Sequence, residues 1–223
     1  MAITRIPDRY RPGLAAIRSL DDEVFAELVV ALDHAPRLAR FSAFSSRLAS
    51  EVKGLNKRQI DDIIALLFSL SLSRADAEIP AEKTATEVLD AMRASGREDL
   101  KLSGEEESRL KSRISMLIDI SSVKVSAKAS RVSTDYPRTF CEAKILSDIR
   151  PVFDKPEEKP IGSMVCHTLR IDYHEGGEHK EFFIALDMDD LRELKKTIDR
   201  AETKTASLRS FLNASGIADF DSP

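Results

Sequence analysis

The chain has 223 residues, a formal net charge of −4, 42% apolar and 32% charged residues, which leaves room for one or two domains with a sizeable core and excludes wholesale disorder. Acids and bases interleave, so the concentrated positive field of a dedicated nucleic-acid binder is missing. Apolar runs of about a dozen residues are too short for a bilayer, no apolar signal core follows Met1, and two cysteines, Cys141 and Cys166, make no disulfide framework; a reducing cytoplasm is the expected setting.

Residues 1–18, with Pro7, Pro12, Gly13 and four arginines, read as an irregular basic lead-in. Ser19 and Asp22 resemble a capping box, and Val24, Phe25, Leu28, Val29 and Leu32 then recur at helical spacing until Pro36. A second helix is expected from about Pro36 to Ser50, broken by Gly54. Asn56 and Gln59 cap a third, whose Ile60, Ile63, Ile64, Leu67 and Phe68 form a wide apolar stripe. A fourth follows Pro80 and closes at Gly96, and a fifth opens on the capping pair Ser103 and Glu106. Residues 1–121 are therefore read as an all-α domain, and 122–223 as a second domain of sheet plus helix, an α+β chain.

After Ile120 the pattern alternates: Val123, Val125, Ala127 and Ala129 against Lys124, Ser126, Lys128 and Ser130. The period favours a strand, while alanine and lysine favour a continued helix, with the balance slightly toward strand. A turn at Asp135–Arg138 precedes a strand over 140–150 that ends at Pro151. The charged, proline-rich 154–160 reads as a mobile loop. Val165, His167, Leu169, Ile171 and Tyr173 share one face of the clearest strand. Gly176 and Gly177 turn a hairpin into the return strand 180–187, where Phe182, Ile184 and Leu186 oppose Phe183 and Ala185, an apolar content that predicts cover on both faces.

Asp187 is a natural N-cap for the final helix. Leu191, Leu194, Ile198, Ala201, Thr205, Leu208 and Leu212 follow in steps of three and four, a seam of about three heptads. At roughly 37 Å the helix is longer than a small sheet. Either the seam packs on its own sheet and on the helical domain, or it completes a dimer core with a second chain; the length mismatch favours the dimer. Leu169, Ile171, Phe182, Ile184, Leu191, Leu194, Ile198, Ala201, Leu208 and Leu212 are the expected interface.

The strand Ile145–Arg150, the variable loop, the strand His167–Tyr173, the glycine hairpin, the strand Glu181–Asp187 and the helix carrying Leu191 and Leu194 resemble, in that order, a COMM domain preceded by its helical domain. The family's first strand usually carries a tryptophan, which this chain lacks, with Arg150-Pro151-Val152-Phe153 in its place. The resemblance implies a non-enzymatic adaptor that pairs as a homodimer or paralogous heterodimer.

Motifs for chemistry are sparse. His174 and His179 flank the hairpin beside Glu175 and Glu178, yet their spacing matches no closed zinc pattern, so they read as solvated histidines, and no metal or cofactor is expected. Cys166 and His167 point to opposite faces of one strand. Cys141 has no histidine near it in sequence, and neither a nucleophile elbow nor a glycine-rich phosphate loop is present. His167, on an apolar strand face, reads as a hydrogen-bonded core or interface histidine. Basic residues slightly outnumber acids over 122–150 without an aromatic platform. A nucleic-acid-associated regulator using that segment, or an enzyme lacking recognisable motifs, are the alternatives.

Overall fold

The computed structural model describes residues 3–75, 79–156 and 158–220. The fold is α+β, with seven N-terminal helices, a three-stranded antiparallel sheet and a long C-terminal helix. The chain divides into two units: Met1–Ser133 with Phe220–Pro223, and Thr134–Asp219.

In the first unit, α1 (Arg11–Ser19) replaces the expected irregular lead-in. Pro12 lies in its first turn, where a missing N–H costs nothing. Gly13 permits close approach to α4 (Lys57–Ala75), since a Cβ there would meet the Asp62 carbonyl oxygen at 2.3 Å. α2 (Asp22–His34) is capped by Asp21, which accepts from the Val24 amide at 2.7 Å, while Ser19 instead donates to the Ala16 carbonyl. This corrects the expected Ser19–Asp22 box: both positions offer an oxygen, and Asp21 is the one with extended backbone just before the helix. α3 (Phe41–Glu51) starts later than Pro36, after a segment in which the Leu38 amide donates to the Ser126 hydroxyl.

The other helix starts follow their sequence signals. Asn56 and Gln59 exchange side-chain bonds to each other's amides at 2.9 and 3.0 Å ahead of α4. α5 (Ala81–Ala94) follows Pro80, with Gly96 beyond it at φ 63°. α6 (Gly104–Asp119) has both arms of the Ser103–Glu106 box. Glu106 also meets Arg18 at 2.9 Å; the Ser103 amide, then the Arg18 guanidinium, pull its carboxyl down to about 2.

Residues 121–134 are helical, forming α7 (Ser121–Thr134), so the strand expectation is overturned. Val123 and Ala127, four apart, are both fully buried and stack on one helical face. The intrinsic preference of alanine and lysine thus agrees with packing, and the two-residue alternation was coincidental. The helices close around Leu28, Leu32, Phe44, Ile60, Ile63, Ile64, Leu67, Ile114 and Leu117. Buried Arg113 donates to the carbonyls of Ile17 and Leu20, pairs with Asp22 and lies over the Phe25 ring. The Phe220 carbonyl accepts from the Ala39 amide at 2.8 Å.

The second unit contains β1 (Arg138–Val152), β2 (Gly162–Glu175) and β3 (Glu178–Leu186), ordered β1-β2-β3. Gly176 and Gly177, both at positive φ, make the tight β2–β3 turn. A bulge at Cys141 shifts the β1–β2 register between Phe140 and Glu142. Asp187 then caps α8 (Met188–Ala214), a helix of 27 residues and about 40 Å. The amides of Asp190 and Asp189 hold the Asp187 carboxyl below the usual carboxylate range.

Candidate protein–protein interface

Strand alternation and register together sort the sheet into two chemically different faces. Val165, His167, Leu169, Ile171 and Tyr173 of β2 lie on one face. Opposite them in β1 are Ile149, Ser147, Ile145, Ala143 and Phe140. In β3, Leu186, Ile184 and Phe182 are the partners of His167, Leu169 and Ile171. This face is apolar apart from Ser147 and His167, whose Oγ and Nδ1 are 2.8 Å apart, and Lys180, the β3 partner of Tyr173 near the hairpin.

The other face is charged. Arg170 grips Asp172 with two bonds of 2.8 and 3.0 Å and reaches Glu181 at 3.1 Å, and Lys144 pairs with Glu142. The Arg170 fork holds the Asp172 carboxyl below its ordinary range, against the upward push of burial.

An apolar sheet face ordinarily forms a core, but here it is largely uncovered. Only Leu169 and His167 are buried; Ile171 and Tyr173 are half-buried, Phe182 and Ile184 are 40% and 42% exposed, and Ile149 and Val165 are 74% and 62% exposed. The expectation that β3 is covered on both faces is therefore corrected, since Phe183 on the charged face is exposed as well. The Nε2 of His167 is buried and has no hydrogen-bond partner among the described residues.

The seam of α8 is in the same condition. Leu191, Leu194 and Leu212 are half-buried, Ala201 is exposed, Ile198 and Leu208 are 52% and 63% exposed, and no described residue of α8 is fully buried. The structure thus places Leu169, Ile171, Phe182 and Ile184 together on one face, and the remaining expected interface residues along one helix. Strand parity in the sequence already groups Val165 with the apolar β2 face and Ile145 with Ile149 on one face of β1, but the expected interface leaves all three out, along with Phe211 at the distal end of α8, which is also exposed.

Other candidate chemistry is less developed. Cys141 Sγ lies 2.7 Å from His174 Nδ1, and the His174 and His179 rings stack edge-on at 5.5 Å. That contact spans 33 positions and depends on the bulge, so it was not visible in sequence. Among the described residues no three histidine, cysteine or acidic side chains are arranged to hold a metal ion. A groove of about 560 Å³ in the helical unit, between residues 3–10 and Leu66, Leu70, Ser73 and Val88, has arginines and serines in its lining but no carboxylate, histidine or cysteine. Within the basic 122–150 segment, Lys124, Arg138 and Lys144 pair with Asp119, Glu175 and Glu142. No described helix is long and apolar enough to cross a membrane.

No family model and no curated protein matches the sequence.

Proposed function

We propose that residues 134–219 are a dimerisation module and that the protein is a non-enzymatic adaptor acting as a pair of identical chains, each carrying one helical unit. The observation that carries this reading is an apolar sheet face and a 27-residue amphipathic helix in one unit, neither of them covered. The unpartnered His167 Nε2 on that face gains an opportunity for a hydrogen bond when a second chain arrives. The order of parts, a helical unit and then β-β-β-α, is also that of the COMM-domain family, whose modules pair; this supports an adaptor role in a cytoplasmic setting.

Light scattering coupled to size exclusion at micromolar concentration is expected to give twice the chain mass. Ile198→Glu and Leu208→Glu, both at exposed seam positions and so compatible with the chain's own fold, are expected to shift the population to monomer by at least tenfold in dissociation constant. A wild-type monomer, or charged variants that dimerise unchanged, would remove the basis for this reading.

A further inference from the structure

The helical unit carries a groove of about 560 Å³ between residues 3–10 and the helices α1, α4 and α5. Leu14, Leu66, Leu70 and Val88 make its floor, and all four are buried. Leu66, Ser69, Leu70 and Ser73 are spaced three and four apart. They form one face of α4, beside the stripe of Ile63, Ile64 and Leu67. From Leu66 to Ser73 this face runs about 10 Å at 1.5 Å per residue.

Residues 3–10 wall the groove on the other side. Ile3, Ile6 and Tyr10 pack against the core, while Arg5 and Arg9 are exposed at the rim. The segment is fixed at both ends: the Ile3 amide donates to the Glu87 carboxylate at 3.2 Å, and the Tyr10 amide to the Pro7 carbonyl at 3.0 Å.

The lining holds two guanidinium groups and no carboxylate. The acids that flank it are engaged elsewhere, Asp8 with Arg11 at 2.7 Å and Glu87 with the Ile3 amide. Among the described residues no acid pairs with Arg5 or Arg9. The Arg9 guanidinium lies instead over the Tyr10 ring, 4.7 Å from its centroid. An apolar floor under a positive rim that no acid neutralises is complementary to a molecule with an aliphatic chain and an anionic head.

We propose that this groove binds a straight-chain carboxylic acid of medium length, with its chain along Leu66 and Leu70 and its carboxylate at Arg5 and Arg9. A guanidinium fork matches a carboxylate with two parallel hydrogen bonds. Length selects against the chains of membrane lipids. These span about 15 Å, half of a bilayer's hydrocarbon core, against about 10 Å for the groove. The site lies wholly within the helical unit, so it stands whether or not the chain pairs.

The test is isothermal titration of the full-length chain with decanoate below its micellar concentration, where one site per chain is expected. Octanoate should bind about 15-fold more weakly, since each buried methylene is worth about fourfold in affinity. Decanol, which lacks the carboxylate, should bind roughly tenfold more weakly. Arg5→Gln combined with Arg9→Gln should weaken decanoate by a similar factor and leave decanol unchanged. Both arginines are exposed, so the double variant should melt as wild type does. No binding of decanoate, equal affinity for decanoate and decanol, or a double variant that binds decanoate as tightly as wild type overturns the proposal. Flotation with phosphatidylglycerol vesicles in the absence of decanoate binding would assign the groove to a membrane surface. A light-scattering mass halved by decanoate would assign it to a second copy, and either result overturns the proposal too.

Discussion

At Gly13 the approach of α1 to α4 leaves no room for a methyl group, the Asp62 carbonyl oxygen being 2.3 Å from where a Cβ would sit. Gly13→Ala is therefore expected to cost about 1–3 kcal/mol through overpacking, read as a lower urea midpoint with an unchanged slope. A midpoint equal to wild type would show that α1 is free to move away. In sequence Gly13 looked like a loop residue, because the reason for a glycine there lies 49 positions away. Glu106 gives a pH-dependent counterpart. Its folded carboxyl is held down to about 2 by the Ser103 amide and Arg18, against an ordinary value of 4.5. A depressed acid stabilises the fold above its unfolded value, and that contribution is lost as pH falls from about 4.5 toward 2. Glu106→Gln is accordingly expected to flatten part of the stability decline in that window when urea midpoints are followed from pH 6 to 2. An acid limb identical to wild type would rule out this role.

At the scale of elements, what could be read in sequence depended on whether local and tertiary preferences agreed. The starts of α4, α6 and α8 were visible because each cap is a short-range exchange between side chain and backbone, three residues apart. β2 and β3 were visible because alternation and a Gly-Gly turn leave one economical register. α7 was misread because alternation across Val123–Ala129 also places Val123 and Ala127 on one helical face, and the core beneath decides between them. For the candidate interface, the seam of α8 and its excess length could be seen in sequence. The overhang of β1 and β2 could not, since it depends on where β3 stops, and the Cys141–His174 contact depends on a one-residue bulge.

For the whole molecule, the two units should unfold differently. The helical unit has its own closed core around Phe44 and Ile64, whereas in the sheet unit Leu169 is the one described apolar side chain that is fully buried. Two thermal transitions are expected. The one assigned to the sheet unit should rise with protein concentration, since each tenfold increase stabilises a dimer by about 1.4 kcal/mol, while the helical transition stays fixed. Calorimetry between 2 and 200 μM checks this; two concentration-independent transitions would mean that the sheet unit is stable without a partner.

The Cys141 bulge bears on a different matter, the length to which an assembly of such chains can grow. β1 is an edge strand of 15 residues, long enough to recruit copy after copy into a fibre. Near one end the bulge twists the strand and spoils its register; near the other Pro151 removes a donor. Polymerisation along that edge is thus interrupted at both ends, so open-ended strand-by-strand stacking of copies is disfavoured.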